Sequence, residues 1–287
     1  MNFCYRNIAA NDSAGFATAP AGNAADTHAP PAQPEPADRL IQGGGTPDSV
    51  WLADPEVAGA APVTLDSIVA ADARLLVIAP HPDDEVLSCG GLMALHAARG
   101  GKTLVLAVTD GEASHAGSDQ WTPATLAAAR RLESAHGLRL LASAGTAVLR
   151  LGLPDGQLAG LQHELAQRLR ALLHIDDVVV VTWQLDGHPD HDAAGAAARS
   201  ACAQVGCKLL EAPVWMWHWS QPGDQRVPWQ RLRALRLPPA VVQAKRAALA
   251  AHQSQLQPRA NREGPEGPVL GTHIVERAAR HAEYFFV

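Results

Sequence analysis

Arg74-Leu75-Leu76-Val77-Ile78-Ala79-Pro80-His81-Pro82-Asp83-Asp84-Glu85 is the stretch on which the fold is read. An apolar run headed by Arg74 stops at Pro80, and imidazole and carboxylate groups follow at once. A short run without polar alternation is a strand buried on both faces, the signature of a parallel sheet. Working outward, the spacing predicts a helix over Gly91–Arg99, ended by Gly100-Gly101. A second buried strand is read at Thr103–Thr109. Thr122 as N-cap and Pro123 at the first helical position open a helix reaching His136. A third strand follows at Ala147–Leu151, then a helix over Gln157–Leu173. A fourth strand, rich in β-branched residues, is read at Asp177–Trp183 and a helix at Asp192–Cys202. A fifth strand spans Lys208–Val214 and a last helix Pro239–Gln253. Strands alternating with helices predict an α/β fold, a mostly parallel sheet with helices on both faces.

The chain has 287 residues, 47% of them hydrophobic, enough for a sizeable core. With Lys+Arg 23 against Asp+Glu 29 the net charge is −6, and no basic run is present, so nucleic acid is not the expected partner. No apolar run is long enough to span a bilayer. Met1–Ala10 lacks the pattern of a secretory signal. Cys4, Cys89, Cys202 and Cys207 have no CxxC spacing and are too few to staple a chain of this length. A reducing cytoplasm is the expected location, where the sequon at Asn11 is idle. Residues 10–38 are dominated by Ala, Pro, Asp, Gly and Thr and cannot bury enough surface to offset their ordering entropy. The expected organisation is a disordered tail over 1–50 and one domain over 51–287, beginning between Trp51 and Leu65.

Ligands of such sheets bind beyond the carboxyl ends of the strands. There the polar residues gather: His81–Glu85, Asp110-Gly111-Glu112, Pro154-Asp155-Gly156, and Asp186-Gly187-His188-Pro189-Asp190-His191. No GxGxxG follows the first strand, which argues against a nicotinamide dinucleotide. The first and last clusters would lie side by side. Zinc is satisfied by three N or O ligands and one open position, a set His81, Asp84 and His191 can supply. Asp83 is then adjacent and unbound, placed as a general base beside a metal-bound water. His188 can hold a substrate oxygen as a cation or deliver a proton. Asp190 is read as a cap of the helix that follows it, and Glu85 as a support of its turn. Trp215-Met216-Trp217-His218-Trp219 either stacks on a ligand or packs on the core. His218 and His115 are possible pocket and lid residues on the same terms.

At these residues the sequence resembles the LmbE/PIG-L family of zinc-dependent de-N-acetylases. The (A/P)HPDDE motif reads Ala79-Pro80-His81-Pro82-Asp83-Asp84-Glu85, continued by Val86–Gly91, and the HPDH motif reads His188-Pro189-Asp190-His191. Val108–Glu112, Arg130 with Glu133, and Leu151–Gly156 are also similar to the family. So are Lys245 with His252-Gln253-Ser254-Gln255, and Glu283-Tyr284-Phe285. The resemblance implies a Rossmann-like fold and removal of an N-acetyl group from a small amino sugar or glycoconjugate. It implies a zinc cofactor, another divalent ion such as Fe2+ being possible. His81, Asp84 and His191 would be the ligands, Asp83 the base, and His188 the oxyanion donor or acid. Ser88, Arg130 and Asp155 would line the substrate pocket. Arg130 would reach a phosphate or sugar hydroxyl, or pair with Glu133. Asp155 would hold sugar hydroxyls, orient His188, or serve as a turn residue. Some members carry a tyrosine where this chain has Asp186, so Asp186 is expected near the substrate, raising the pKa of His188. Two alternatives stay open: an amidase for a larger N-acyl or thiol-conjugate amide, and a zinc- or sugar-binding module without turnover. The oligomeric state is not legible.

Overall fold

The computed structural model describes residues 39–141, 146–261 and 264–287. Cys4, Asn11 and the expected tail up to residue 38 lie outside the described residues. Among the described residues, ten strands run in chain order: β1 (Ala61–Val63), β2 (Arg74–Ala79), β3 (Lys102–Ala107), β4 (Thr146–Arg150), β5 (Val178–Thr182), β6 (Lys208–Ala212), β7 (Leu232–Arg236), β8 (Arg259–Asn261), β9 (Gly264–Glu266) and β10 (Ala282–Phe286). The helices of the first half are α1 (Asp48–Leu52), α2 (Pro55–Ala58), α3 (Leu65–Ile68), α4 (Asp84–Ala98), α5 (Pro123–Leu140) and α6 (Leu158–Leu172). They continue as α7 (Pro189–Val205), α8 (Met216–Trp219), α9 (Pro239–Ala250), α10 (Gln253–Leu256) and α11 (Thr272–Ala278).

Eight strands form one sheet in the order β1-β7-β10-β6-β5-β2-β3-β4, with β10 antiparallel to both neighbours and the other pairings parallel. The expected α/β fold with helices on both faces is therefore present. The pleat explains how one run feeds two cores, because successive side chains point to opposite faces. Leu75, Val77 and Ala79 of β2 join Val178 and Val180 of β5 under α4, α9 and α11. Leu76 and Ile78 join Val179 and Val181 beneath α6 and α7, where Ala193, Ala194, Ala197, Ala198 and Ala201 let α7 lie close. Trp51, Trp183, Trp217 and Phe286 form a third cluster. No helix among the described residues is long and apolar enough to cross a membrane.

The structure departs from the sequence reading in three places. The chain is packed from Arg39, ahead of the expected start between Trp51 and Leu65. Arg39 is buried and pairs with Asp192 at 3.0 Å, and the Thr46 N–H donates to the His218 carbonyl. Second, α4 and α7 begin inside the two motifs, at Asp84 and Pro189, rather than at Gly91 and Asp192. Third, β1, β7 and β10 complete one side of the sheet. They are short or interrupted by Arg and Glu, so no apolar run announces them.

One of those interrupting charges has a clear task. Helix α4 kinks at Cys89 (φ −152°, ψ 25°), which frees amides in the following turn. Glu283 of β10 accepts the Gly91 and Leu92 N–H groups at 2.7 and 2.8 Å and pairs with buried Lys245 at 2.6 Å. A Cβ at Gly91 would meet the Leu237 side chain at 2.6 Å and the Glu283 carboxylate at 3.1 Å, so any larger residue there must displace them. Glu283→Gln leaves the buried Lys245 charge without its counter-ion. The expected loss is about 3–5 kcal/mol of unfolding free energy in a urea titration. A loss within the ~0–1 kcal/mol of a surface pair would contradict the assignment.

Candidate metal centre and active site

The loop after β2 carries His81, Pro82 and Asp83 before α4 opens at Asp84. Asp83 holds φ 118° and ψ −28°, a left-handed conformation that a non-glycine residue adopts at a cost. The strain is held by neighbours. The Asp83 N–H donates to Glu85 at 3.0 Å, whose other oxygen accepts the Ser134 hydroxyl at 2.6 Å. Arg130 of α5 donates to the carbonyls of Gly111 and Pro82 at 2.9 and 2.8 Å and approaches the Asp83 carboxylate at 3.3 Å. Gly111 sits at φ 68°, and a Cβ there would overlap the Arg130 guanidinium.

The second motif opens α7. His188 is its N-cap, Pro189 takes the first helical position, and the imidazole of His188 accepts the Asp190 N–H at 3.2 Å. His191 lies one turn in, 1% exposed. Because β2 and β5 are adjacent and parallel, the two motifs leave the same edge of the sheet. There His81 Nδ1 and His191 Nε2 each lie 3.2 Å from Asp84 Oδ2. His188 packs its ring 4.8 Å from that of His81 and 4.9 Å from that of His191.

The outer nitrogens of the two imidazoles decide what the inner ones can do. His81 Nε2 faces Asp155 Oδ1 and Asp190 Oδ2, each at 3.2 Å. His191 Nδ1 faces Asp186 Oδ2 at 2.8 Å. Both outer nitrogens must carry protons to satisfy those carboxylates. A neutral ring then presents a lone pair to Asp84, and lone pairs crowding a carboxylate oxygen need a cation among them. Three ligands at tetrahedral angles and metal-typical bond lengths of about 2.0–2.1 Å sit about 3.3 Å apart, and Asp84 Oδ2 stands 3.2 Å from each of the two inner nitrogens. Among the described residues, the groups whose ligand atoms all lie within 4.8 Å of one another are His81 with His188 and His191, and His81 with Asp155 and Asp190. The donor set thus fits a divalent ion with one position open. Without an ion, protons fill the gap. Burial disfavours the charged form of His191, yet Asp84 and Asp186 outweigh it and raise its pKa to about 9. Asp84 is likewise held well below the ordinary carboxylate range by His191 and His81, against the effect of burial. A bound metal would displace those protons.

Two neighbouring groups differ from His81, Asp84 and His191. Burial raises the Asp83 carboxyl to about 8, with Arg130 pulling the other way. Burial, and then the neighbouring His81 and His191, lower His188 to about 3. His188 is therefore a neutral ring whose proton sits on Nε2, since Nδ1 accepts from the backbone.

Several sequence expectations need correction. Asp186 pairs with His191 rather than His188, and the pKa of His188 is lowered rather than raised. Asp186 is fully buried, and besides His191 its carboxylate accepts the N–H groups of Val214, Trp215 and Met216, each at 2.9 Å. Asp155 orients His81 rather than His188, and it ties the loop after β3 by accepting the Ala113 N–H at 2.8 Å. Arg130 pairs with Asp83 rather than Glu133; it is 2% exposed, and Glu133 instead accepts from Ser254. Asp190 does not cap α7. Its carboxylate accepts the Gly156 and Leu158 N–H groups at 2.7 and 3.0 Å, joining the start of α6 to His81. Ser88 lies one turn beyond Asp84 and lines a neighbouring cleft with Trp217, Lys245 and Arg277. The tryptophans pack inward: Trp217 meets Trp51 edge-on at 5.2 Å, and the Trp219 indole donates to the Asp186 carbonyl at 2.6 Å. His218 Nε2 donates to the Gln42 carbonyl at 3.0 Å, and His115 is buried beside Trp121.

Sequence reasoning did not find the carboxylates behind the imidazoles as a set, because Asp155 follows β4 while Asp186 and Asp190 follow β5, and nothing in their spacing pairs them with a particular ring. The one available signal was their excess: more acids than a three-ligand site can use. Such outer partners typically set metal affinity by a factor of about 10–100. Asp186→Asn is accordingly expected to weaken metal binding by about that factor in a chelator competition, while the fold survives.

Residues 76–202 match the family model described as GlcNAc-PI de-N-acetylase, PIG-L. That stretch is a PIG-L, or LmbE-like, domain. The chain is a hydrolase of the de-N-acetylase type. Among its relatives is the 1D-myo-inositol 2-acetamido-2-deoxy-alpha-D-glucopyranoside deacetylase of Rhodococcus jostii (strain RHA1), 28% identical, the match covering 64% of this chain and 82% of the relative. The protein of the same name from Rhodococcus opacus (strain B4) is 31% identical over 54% of this chain and 58% of the relative. Among solved structures, the conserved protein TT1542 from Thermus thermophilus superposes with a TM-score of 0.51 at 28% identity, covering 74% of this chain and 93% of that one. A deacetylase of the teicoplanin biosynthesis pathway gives 0.51 at 26% identity, covering 64% and 85%. Both PIG-L motifs fall within the matched residues.

Proposed function

We propose that this chain removes the acetyl group from an N-acetylated amino sugar or its conjugate, with a zinc ion held by His81, Asp84 and His191. The observation that carries the reading is the meeting of two imidazoles on Asp84 Oδ2, each at 3.2 Å, with Asp83 beside them and engaged by Arg130 instead. The named activities of the Rhodococcus relatives support an acetamido sugar as the substrate class.

When bound, the ion would supply Lewis acidity toward the acetamide carbonyl and lower the pKa of a water at the open position. The rest is done by side chains. Asp83 accepts a proton from the attacking water. His188 donates its Nε2–H to the oxygen that gains charge, as a neutral hydrogen-bond donor rather than an imidazolium. The C–N bond breaks, and the proton held by Asp83 passes to the departing nitrogen, giving acetate and a free amine. A carboxyl group whose environment pulls its pKa toward neutrality suits both taking and returning that proton. Arg130 and Glu85 hold Asp83 in its strained conformation, and Asp155, Asp190 and Asp186 fix the two metal-facing rings.

The test is a panel of N-acetylated amino sugars and their glycosides, incubated with metal-loaded protein and followed by mass spectrometry and acetate release. Loss of one acetyl group from at least one member is expected. A metal-loaded, folded protein inert toward the whole panel, yet active on long-chain N-acyl amides, would replace this reading with the amidase one.

A further inference from the structure

The cleft that Ser88 lines is separate in composition from the metal residues. It is a half-open cleft with a cavity volume of ≈ 40 Å³ among α4, α9, α11, β10 and the segment after β6. Its charged residues pair off unequally. Lys245 and Glu283 neutralise each other at 2.6 Å. Arg280 lies 4.5 Å over the Trp217 ring and binds the Asp48 carboxylate, with Nε at 2.8 Å. Arg277 remains. It is only 8% exposed, its Nη2 donates to the Thr46 carbonyl at 2.6 Å, and its Nε and Nη1 are buried with no acceptor among the described residues. Burial and the nearby Arg280 lower its pKa to about 10, with Asp48 and Glu276 pulling the other way. Orphaned donors on a buried guanidinium are costly, and a guanidinium fork matches the two oxygens of a carboxylate or phosphate.

We propose that this cleft is an oxyanion subsite, in which Arg277 takes one carboxylate or phosphate group. One charge is the matched number, because the other cations of the cleft are already paired. The aromatic and aliphatic lining from Trp217, Tyr284, Leu87 and Ile274 would cover the organic part of an anion-bearing ligand. The cleft also backs onto the metal residues. Leu87 and Ser88 share α4 with Asp84, and Val214 lines the cleft while its amide binds Asp186. The oxyanion can therefore be free or be carried by the substrate.

Calorimetric titration of the metal-free full chain at constant ionic strength, with inorganic phosphate and with acetate against a chloride control, tests this. Wild type is expected to bind at least one of the two. Arg277→Gln, which keeps a donor for Thr46, should weaken that binding about tenfold or more, the worth of a charge-assisted hydrogen bond. Any anion held by the metal-site imidazoles would bind both forms alike. Comparing N-acetylglucosamine 6-phosphate with N-acetylglucosamine separates the sources. Preference of wild type, but not the variant, for the phosphorylated sugar assigns the oxyanion to substrate; equal binding of the sugars with retained phosphate binding assigns it to a free anion. Anomalous diffraction from wild-type crystals soaked in selenate needs no variant and should place the ion on Arg277. Absence of wild-type binding, equal affinity in Arg277→Gln, or selenate found only elsewhere would overturn the proposal.

Discussion

Asp83→Asn is expected to lower kcat by about 10²–10⁴-fold, the usual contribution of a positioned general base, while metal content stays at the wild-type level. The split follows from the geometry. Asp83 is 4% exposed and engages Arg130 at 3.3 Å, whereas the inner nitrogens of His81 and His191 converge on Asp84 instead. Asparagine keeps the size and can still accept from Arg130, whose other hydrogen bonds to Gly111 and Pro82 persist. It cannot take up a proton. Single-turnover kinetics together with metal analysis by mass spectrometry read both halves of the expectation. A fall in kcat smaller than about tenfold would move the base elsewhere, and loss of metal from the variant would make Asp83 a ligand.

Removing the metal is the second large effect. Chelation should abolish turnover, and restoring zinc should recover it. His191→Ala should lose turnover without recovery at the same zinc concentration. The stability readout is separate from activity. A ligand that binds only the folded state adds about 2.7 kcal/mol at a concentration of 100 times its Kd. Zinc should therefore raise the melting temperature of wild type and leave that of His191→Ala unchanged. Turnover that survives exhaustive chelation would exclude the metal mechanism. The variant also removes the partner of Asp186, a carboxylate that remains anchored by three backbone amides, so the segment Val214–Met216 should stay in place.

How much of this was readable in advance depends on whether the information was local. The central strands were legible because each is a compact apolar run bounded by a turn, and β2 and β5 are buried along their whole apolar length. The helix starts at Thr122-Pro123 and Pro239 were legible from capping chemistry. The edge beyond β6 was not. Strand β10 carries Glu283 in its middle, and a buried carboxylate in a strand makes sense only once Lys245 and the freed amides of α4 are brought to it. At the site, His81, Asp83, Asp84, His188 and His191 could be named from two motifs. The tasks of Asp155, Asp190 and Arg130 could not, because each acts on a residue from a different loop, and that of Asp186 could not, because the choice between His191 and His188 depends on how the segment turns.

The sequence alone determined the strand–helix alternation, the side of the sheet where chemistry collects, and the residue types offered to a metal. All of these follow from periodicity and from groups a few residues apart. Tertiary structure decided which nitrogen of each imidazole faces Asp84, that His188 Nδ1 is taken up by a backbone N–H, and that Arg130 lies buried against Asp83. Proton positions and hydrogen-bond partners depend on distances of a few ångströms between segments far apart in the chain, and those distances exist only after the sheet has brought the loops together.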